Sequence, residues 1–283
     1  ETDQWGFVDF NRPMVAINQW EQAEDSMYTL CGKDRIHPST DGHLVMAYLF
    51  LKAQGLAGKP VADIRIDGAG KKVTRSDNCR VSDLSVSSDN LTFTYEAKSL
   101  PYPIDTSYYD NEKHTQADAL SVIPFMDEMN YEGLSVSGLS DGYYGLTIGG
   151  EFIGRFTARE LERGINMALL QNTPQYKQAM KIRQMNEERW LKERKMREFY
   201  WVEYNLMRKT GMLWACNEAA VDTLRKYRPH DIFLQWNGDL WLQYMHKGIR
   251  EDCVNEQQDL VNQIYEQNKP IPLRIEIKKF TDL

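Results

Sequence analysis

The sequence predicts an α/β chain in three parts: an α/β stretch over residues 1–58, an antiparallel β unit over 59–156, and a helical extension with a final strand over 157–283. Three observations carry this division. A strand-like run followed by two helix-like runs fills the first part, the hydrophobic period shortens to two from Val61, and it lengthens to that of a helix from Thr157. A Gly/Pro junction, Leu56-Ala57-Gly58-Lys59-Pro60, separates the first two parts. With 283 residues, 42% of them hydrophobic, the chain is long enough to bury a sizeable core.

In the first part, Trp5-Gly6-Phe7-Val8-Asp9-Phe10 reads as a buried strand, and Arg12 to Trp20 as the turn and helix after it. Pro38 to Ala53 reads as a capped helix stopped near Gly55. Just before it stands Asp34-Arg35-Ile36-His37, a carboxylate and an imidazole three residues apart. Histidine is the side chain whose ordinary pKa, about 6.5, lets it take and return a proton near neutrality. A general base also needs a partner that fixes its tautomer and stabilises its cation, and an Asp at i with a His at i+3 in a tight loop supplies both locally.

Strand, helix, Asp-x-x-His-Pro loop and closing helix together resemble the final segment of an SGNH (GDSL-type) hydrolase, over Gly6 to Leu56. The resemblance implies that residues 1–58 are the C-terminal portion of a three-layer, flavodoxin-like hydrolase domain. It also implies catalytic roles for Asp34 and His37, as orienting acid and base of a Ser-His-Asp triad. The family carries its serine in a Gly-Asp-Ser block near the start of the domain, followed by an oxyanion-hole glycine and a Gly-x-Asn-Asp asparagine. None of these blocks precedes Asp34 here. The expectation is a bacterial esterase or acetylesterase acting on acylated carbohydrates, periplasmic or secreted, whose serine lies in the N-terminal part of the same domain. The isolated chain is then expected to be inactive. The alternative is a non-catalytic carbohydrate-binding or scaffold protein built on a hydrolase framework, for which the missing nucleophile is the best argument.

In the second part, Val61 to Ile66, Val81 to Val86 and Leu91 to Tyr95 alternate as strands, with Ser87 to Asn90 as the turn between the last two. Leu100-Pro101-Tyr102-Pro103 begins a long loop because proline lacks the ladder donor. That loop carries Tyr108, Tyr109 and His114, which either touch substrate or lie on a plain surface loop. Strands are expected again at Ser121–Met126, Leu134–Leu139, Tyr143–Ile148 and Glu151–Phe156, with Gly149-Gly150 as a two-residue hairpin. Gly138-Leu139-Ser140-Asp141-Gly142 fits the G-x-S-x-G nucleophile elbow, but that elbow needs a helix after its turn. Strand-like alternation on both sides favours a hairpin at Ser140 to Gly142. Residues 100–170 also resemble an extension that some bacterial SGNH-type proteins carry.

In the third part, Thr157 and Glu160 fit a capping box. A helix starts at Pro174, its stretch Lys177 to Arg208 long, charged and amphipathic, with Glu188/Lys192 and Glu193/Arg197 at i,i+4 spacing. Leu213–Tyr227 and Asp231–Gln267 predict two or three more helices, within which Trp236 to Trp241 reads as core or as a sugar-stacking platform. Leu273–Ile277 predicts a last strand that pairs back onto the earlier sheet.

The formal net charge of −7 argues against a nucleic-acid partner, and the longest apolar run, Leu44 to Leu51, is too short to span a bilayer. Cys31, Cys79, Cys216 and Cys253 lack C-x-x-C spacing and read as isolated buried thiols or as disulfides. His43, His114, His230 and His246 stand in no ligand pattern, and phosphate-binding glycine motifs are absent, so neither metal nor cofactor is expected.

Overall fold

Alternating apolar residues place most of the expected strands in two sheets. The computed structural model describes residues 6–107 and 114–280; Tyr108 and Tyr109 lie outside the described residues. Strands β1 (Ala62–Asp67), β2 (Lys72–Asp77), β5 (Glu132–Ser137) and β8 (Ile165–Asn166) form one sheet in the order β2-β1-β5-β8. Strands β3 (Cys79–Val86), β4 (Asn90–Ala97), β6 (Tyr143–Ile148), β7 (Glu151–Thr157) and β9 (Leu273–Lys279) form the other, in the order β3-β4-β9-β6-β7. Ile64, Ile66, Leu134 and Val136 from the first sheet share a core with Leu91, Phe93, Tyr95, Leu146, Ile148, Ile275 and Ile277 from the second. Two units divide the chain, Glu1–Ala179 with Lys269–Leu283, and Met180–Asn268.

The β region is mixed rather than wholly antiparallel, because β1 pairs with β5 in parallel. Their connection passes through three strands and two short helical turns, long enough for the crossover that a parallel pair needs. Gly149 and Gly150, at φ of 59° and 86°, close the β6–β7 hairpin between Ile148 and Glu151. Both positive φ values belong to the type I′ turn, whose twist matches that of the flanking strands. The final strand inserts between β4 and β6 and buries Leu273, Ile275 and Ile277.

Several expectations are corrected. Residues 6–10 form no strand, and Phe7 is largely exposed, since no neighbouring segment offers a ladder to pair with among the described residues. Residues 121–126 are not a strand but the end of a 3-10 turn (Gln116–Ser121) and the start of α3 (Phe125–Glu128), with Pro124 as N-cap. Ser140 to Gly142 is not a hairpin, because β5 and β6 belong to different sheets. Strand β2 was missed, since Lys72 to Asp77 is an exposed edge strand with no apolar alternation to betray it.

Helices α1 (Asn11–Glu21) and α2 (Thr40–Ala53) appear where the periodicity predicts them. Helix α4 (Ala158–Arg163) starts on the expected capping box: Thr157 Oγ1 accepts from Glu160 N–H, and Glu160 Oε2 accepts from Thr157 N–H at 2.7 Å. Helix α5 (Pro174–Val202) continues into a π-helical turn at Glu203–Met207, and the predicted i,i+4 pairs form along it, Arg197 to Glu193 at 3.1 Å and Lys192 to Glu188 at 3.7 Å.

The second unit is completed by α6 (Glu218–Tyr227), α7 (Ile232–Tyr244) and α8 (Lys247–Gln267). Helix α6 begins at Glu218, five residues later than the apolar run suggests, behind its N-cap Asn217, whose side chain accepts from Ala220 N–H at 3.0 Å. Trp214, at φ 64°, keeps the preceding stretch out of helix. Fully buried Glu203 explains both features: one carboxylate oxygen accepts from Trp214 N–H and the other from Trp241 Nε1–H, each at 2.8 Å. Trp241 is therefore core, with Phe199, Val202, Leu224 and Leu234, which removes it from any surface sugar platform.

All four cysteines are free; Cys79 and Cys253 are buried, and Cys216 is exposed. Among the described residues no helix is long and apolar enough to cross a membrane.

Candidate active site

The loop carrying Asp34 and His37 is a closed excursion between α1 and α2. Leu30 and Ser39 pinch its base, with Ser39 N–H donating to Leu30 O at 3.0 Å, and Gly32 N–H closes it on His37 O at 2.8 Å. Inside it, Arg35 takes a left-handed φ of 56°, which turns the chain sharply enough for residue 34 to meet residue 37.

Asp34 then accepts three hydrogen bonds. Its Oδ1 takes the backbone N–H groups of Ile36 at 2.9 Å and His37 at 3.1 Å, and its Oδ2 lies 2.6 Å from His37 Nδ1. Donation from the imidazole, followed by the two amides, holds the Asp34 carboxyl at about 2, well below the usual carboxylate range. An ionised Asp34 at Nδ1 fixes the tautomer and leaves Nε2 as the ring nitrogen open to accept. Among the described residues Nε2 has no partner, and the His37 side chain is 83% exposed.

The support of this loop was not visible in the motif. Leu30 is fully buried, and its N–H donates to Asn18 Oδ1 on α1 at 2.9 Å. Ser39 is buried, and its hydroxyl proton is shared between Leu30 O at 3.0 Å and, in a short contact, Asp41 Oδ1. Gly42 lies so close to the loop that a Cβ there would meet Leu30 O at 2.0 Å. Backbone is a poor thing to displace, so glycine at 42 is what allows α2 to carry the loop on its first turn. Pro38-Ser39-Thr40-Asp41-Gly42 is therefore a support as well as a cap.

His114 is placed against that support. Its Nδ1 lies 3.4 Å from Asp41 Oδ2, and its ring meets Tyr28 edge-on at 6.0 Å. That separation is an ion-pair distance without hydrogen-bond geometry, so Asp41 Oδ2 is buried with no hydrogen-bond donor. Burial and the nearby Asp41 charge push the Tyr28 hydroxyl up to about 12.

Ser140, the only serine in an elbow-like motif, has the wrong surroundings for a nucleophile. Its Oγ accepts from Lys279 Nζ at 2.8 Å and shares a 3.1 Å contact with the Tyr144 hydroxyl. It is followed by strand β6 rather than by a helix.

Residues 180–269 match the family described as the diltiazem deacetylase C-terminal helical domain. Among solved structures, a gut microbial diltiazem-metabolizing enzyme is 42% identical to this chain, matching 98% of it with a TM-score of 0.92. The chain spans 62% of the length of that enzyme. No curated protein matches the chain. Residues 180–269 thus match the diltiazem deacetylase C-terminal helical domain, and the chain as a whole shares its fold with the solved diltiazem-metabolizing enzyme.

Proposed function

We propose that this chain supplies the acid and base of a carboxylic ester hydrolase, with His37 as general base and Asp34 as its orienting partner. The observation that carries the reading is the 2.6 Å contact between Asp34 Oδ2 and His37 Nδ1, with the imidazole otherwise open. The serine comes from the N-terminal part of the same hydrolase domain, of which residues 1–58 form the end; residues 59–156 are an accessory unit and 157–283 its extension.

In this mechanism His37 Nε2 takes the serine Oγ proton as Oγ attacks the ester carbonyl carbon. The imidazolium, balanced by Asp34, returns the proton to the leaving alkoxide, and water then releases the acid by the same base. The name of the matched family supports an acetyl ester as substrate, and acylated carbohydrates are the proposed class, met in the periplasm or outside the cell.

Hydrolysis of a chromogenic acetyl ester by the complete protein tests the role of Asp34. Asp34→Asn keeps the shape but not the charge, and is expected to lower kcat about a thousandfold with KM little changed. An unchanged kcat would remove Asp34 from the mechanism.

A further inference from the structure

A groove of about 420 Å³ runs along α2, away from the catalytic loop. It begins at His43, in the first turn of that helix, and passes Ala47 and Leu51. From His43 to Leu51 the helix rises about 12 Å. Leu44, Leu56, Phe125 and Met129 supply the remaining apolar wall. The volume suits a small organic molecule rather than solvent alone.

Lys59 brings a positive charge to this groove. Lys59 and His43 line it, and among the described residues neither side chain has a hydrogen-bond or ion-pair partner. Gln116 spends both ends within the fold: its Oε1 accepts from Asp105 N–H at 2.9 Å, and its Nε2 donates to the Tyr102 hydroxyl at 2.8 Å. Tyr102 is thereby used as an acceptor, and its own O–H proton remains to be donated. Among the described residues no carboxylate lines the groove.

Two of these donors are held by the fold. Fully buried Asn130 grips the Tyr102 backbone from both sides, its Oδ1 accepting from Tyr102 N–H at 2.8 Å and its Nδ2 donating to Tyr102 O at 2.9 Å. Tyr102 also packs edge-on against Phe125 at 5.8 Å. The loop before Lys59 is tied down by Gly58 N–H to Glu128 O at 2.7 Å.

An apolar trough with the Lys59 ammonium and the Tyr102 O–H free to donate at its rim complements a molecule that has an apolar body and an anionic head. We propose that this groove binds an aliphatic or aromatic monocarboxylate, its body on Leu44, Ala47, Leu51 and Phe125 and its carboxylate at Lys59 and Tyr102. The assignment stands apart from the esterase reading, since neither Asp34 nor His37 takes part in it.

Calorimetric titration of the 283-residue chain with decanoate, and with decan-1-ol as a neutral molecule of the same body, tests the assignment. Decanoate is expected to bind more tightly than decan-1-ol. Lys59→Gln is expected to weaken decanoate about fivefold, the scale of a solvent-screened ion pair, and to leave decan-1-ol unchanged. Ala47→Trp, on an exposed helix face, is expected to fill the trough and abolish both. The assignment is overturned by no decanoate binding, by equal affinity for acid and alcohol, or by unchanged decanoate affinity in Lys59→Gln.

Discussion

Replacing His37 by alanine is expected to lower ester hydrolysis by the complete protein by about 10⁴-fold or more, nearly to the rate of binding and oxyanion stabilisation alone. The size follows from the geometry. Asp34 spends three hydrogen bonds on one purpose, two fixing its carboxylate to the loop backbone and one fixing the imidazole. His37 is thus oriented by its own loop, and its removal takes away the group that both accepts and returns the proton. Asp34 stays ionised down to about pH 2, so its carboxylate keeps its charge throughout the neutral range. The loss should appear in kcat rather than KM, since the His37→Ala substitution leaves the surrounding loop, clamped by Ser39 and Gly42, in place.

The second large effect lies in the core. Glu132 is fully buried between the Tyr95 hydroxyl, which donates to it at 2.8 Å, and the Gln175 amide at 3.2 Å. Burial pushes its carboxyl up to about 7, and these two donors only partly offset the effect. Gln175 Oε1 is buried without a hydrogen-bond partner, and rotating that amide would let it accept a proton from neutral Glu132. The linkage sign follows. Below about pH 4.5 Glu132 is protonated in both states; as pH rises from there towards about 7 the unfolded chain loses its proton first, so stability falls; above about 7 the loss is complete. The shift corresponds to about 3 kcal/mol in total. Glu132→Gln removes the titration, so urea unfolding should show the variant gaining on the wild type between about pH 5 and about pH 8. A constant difference across that range would mean that Glu132 is ionised throughout.

Much of this was legible in the residues, for identifiable reasons. Local chemistry was read correctly where it is self-contained: the Gly149-Gly150 turn, the Thr157/Glu160 capping box and the Asp34/His37 contact each depend on residues within four positions. The return of Leu273–Lys279 to the earlier sheet was visible as alternation, but its central place between β4 and β6 was not. Errors arose where long-range pairing decides. Gly6 to Phe10 has the composition of a strand and, among the described residues, no ladder to join; Ser140 to Gly142 has the alternating flanks of a hairpin, but those flanks enter different sheets; and β2 is polar because an edge strand can be. Within the site, Asn18, Ser39 and Gly42 carry no motif of their own, and only the packing of α1 and α2 about Leu30 reveals what they support.

The most direct measurement of the account is covalent labelling of the complete protein with a serine-directed fluorophosphonate, with the labelled residue located by peptide mapping. Modification is expected at one serine outside these 283 residues, at a rate that collapses in His37→Ala, with no labelling of the 283-residue chain alone. Labelling at Ser140, or an unchanged rate without His37, would contradict it.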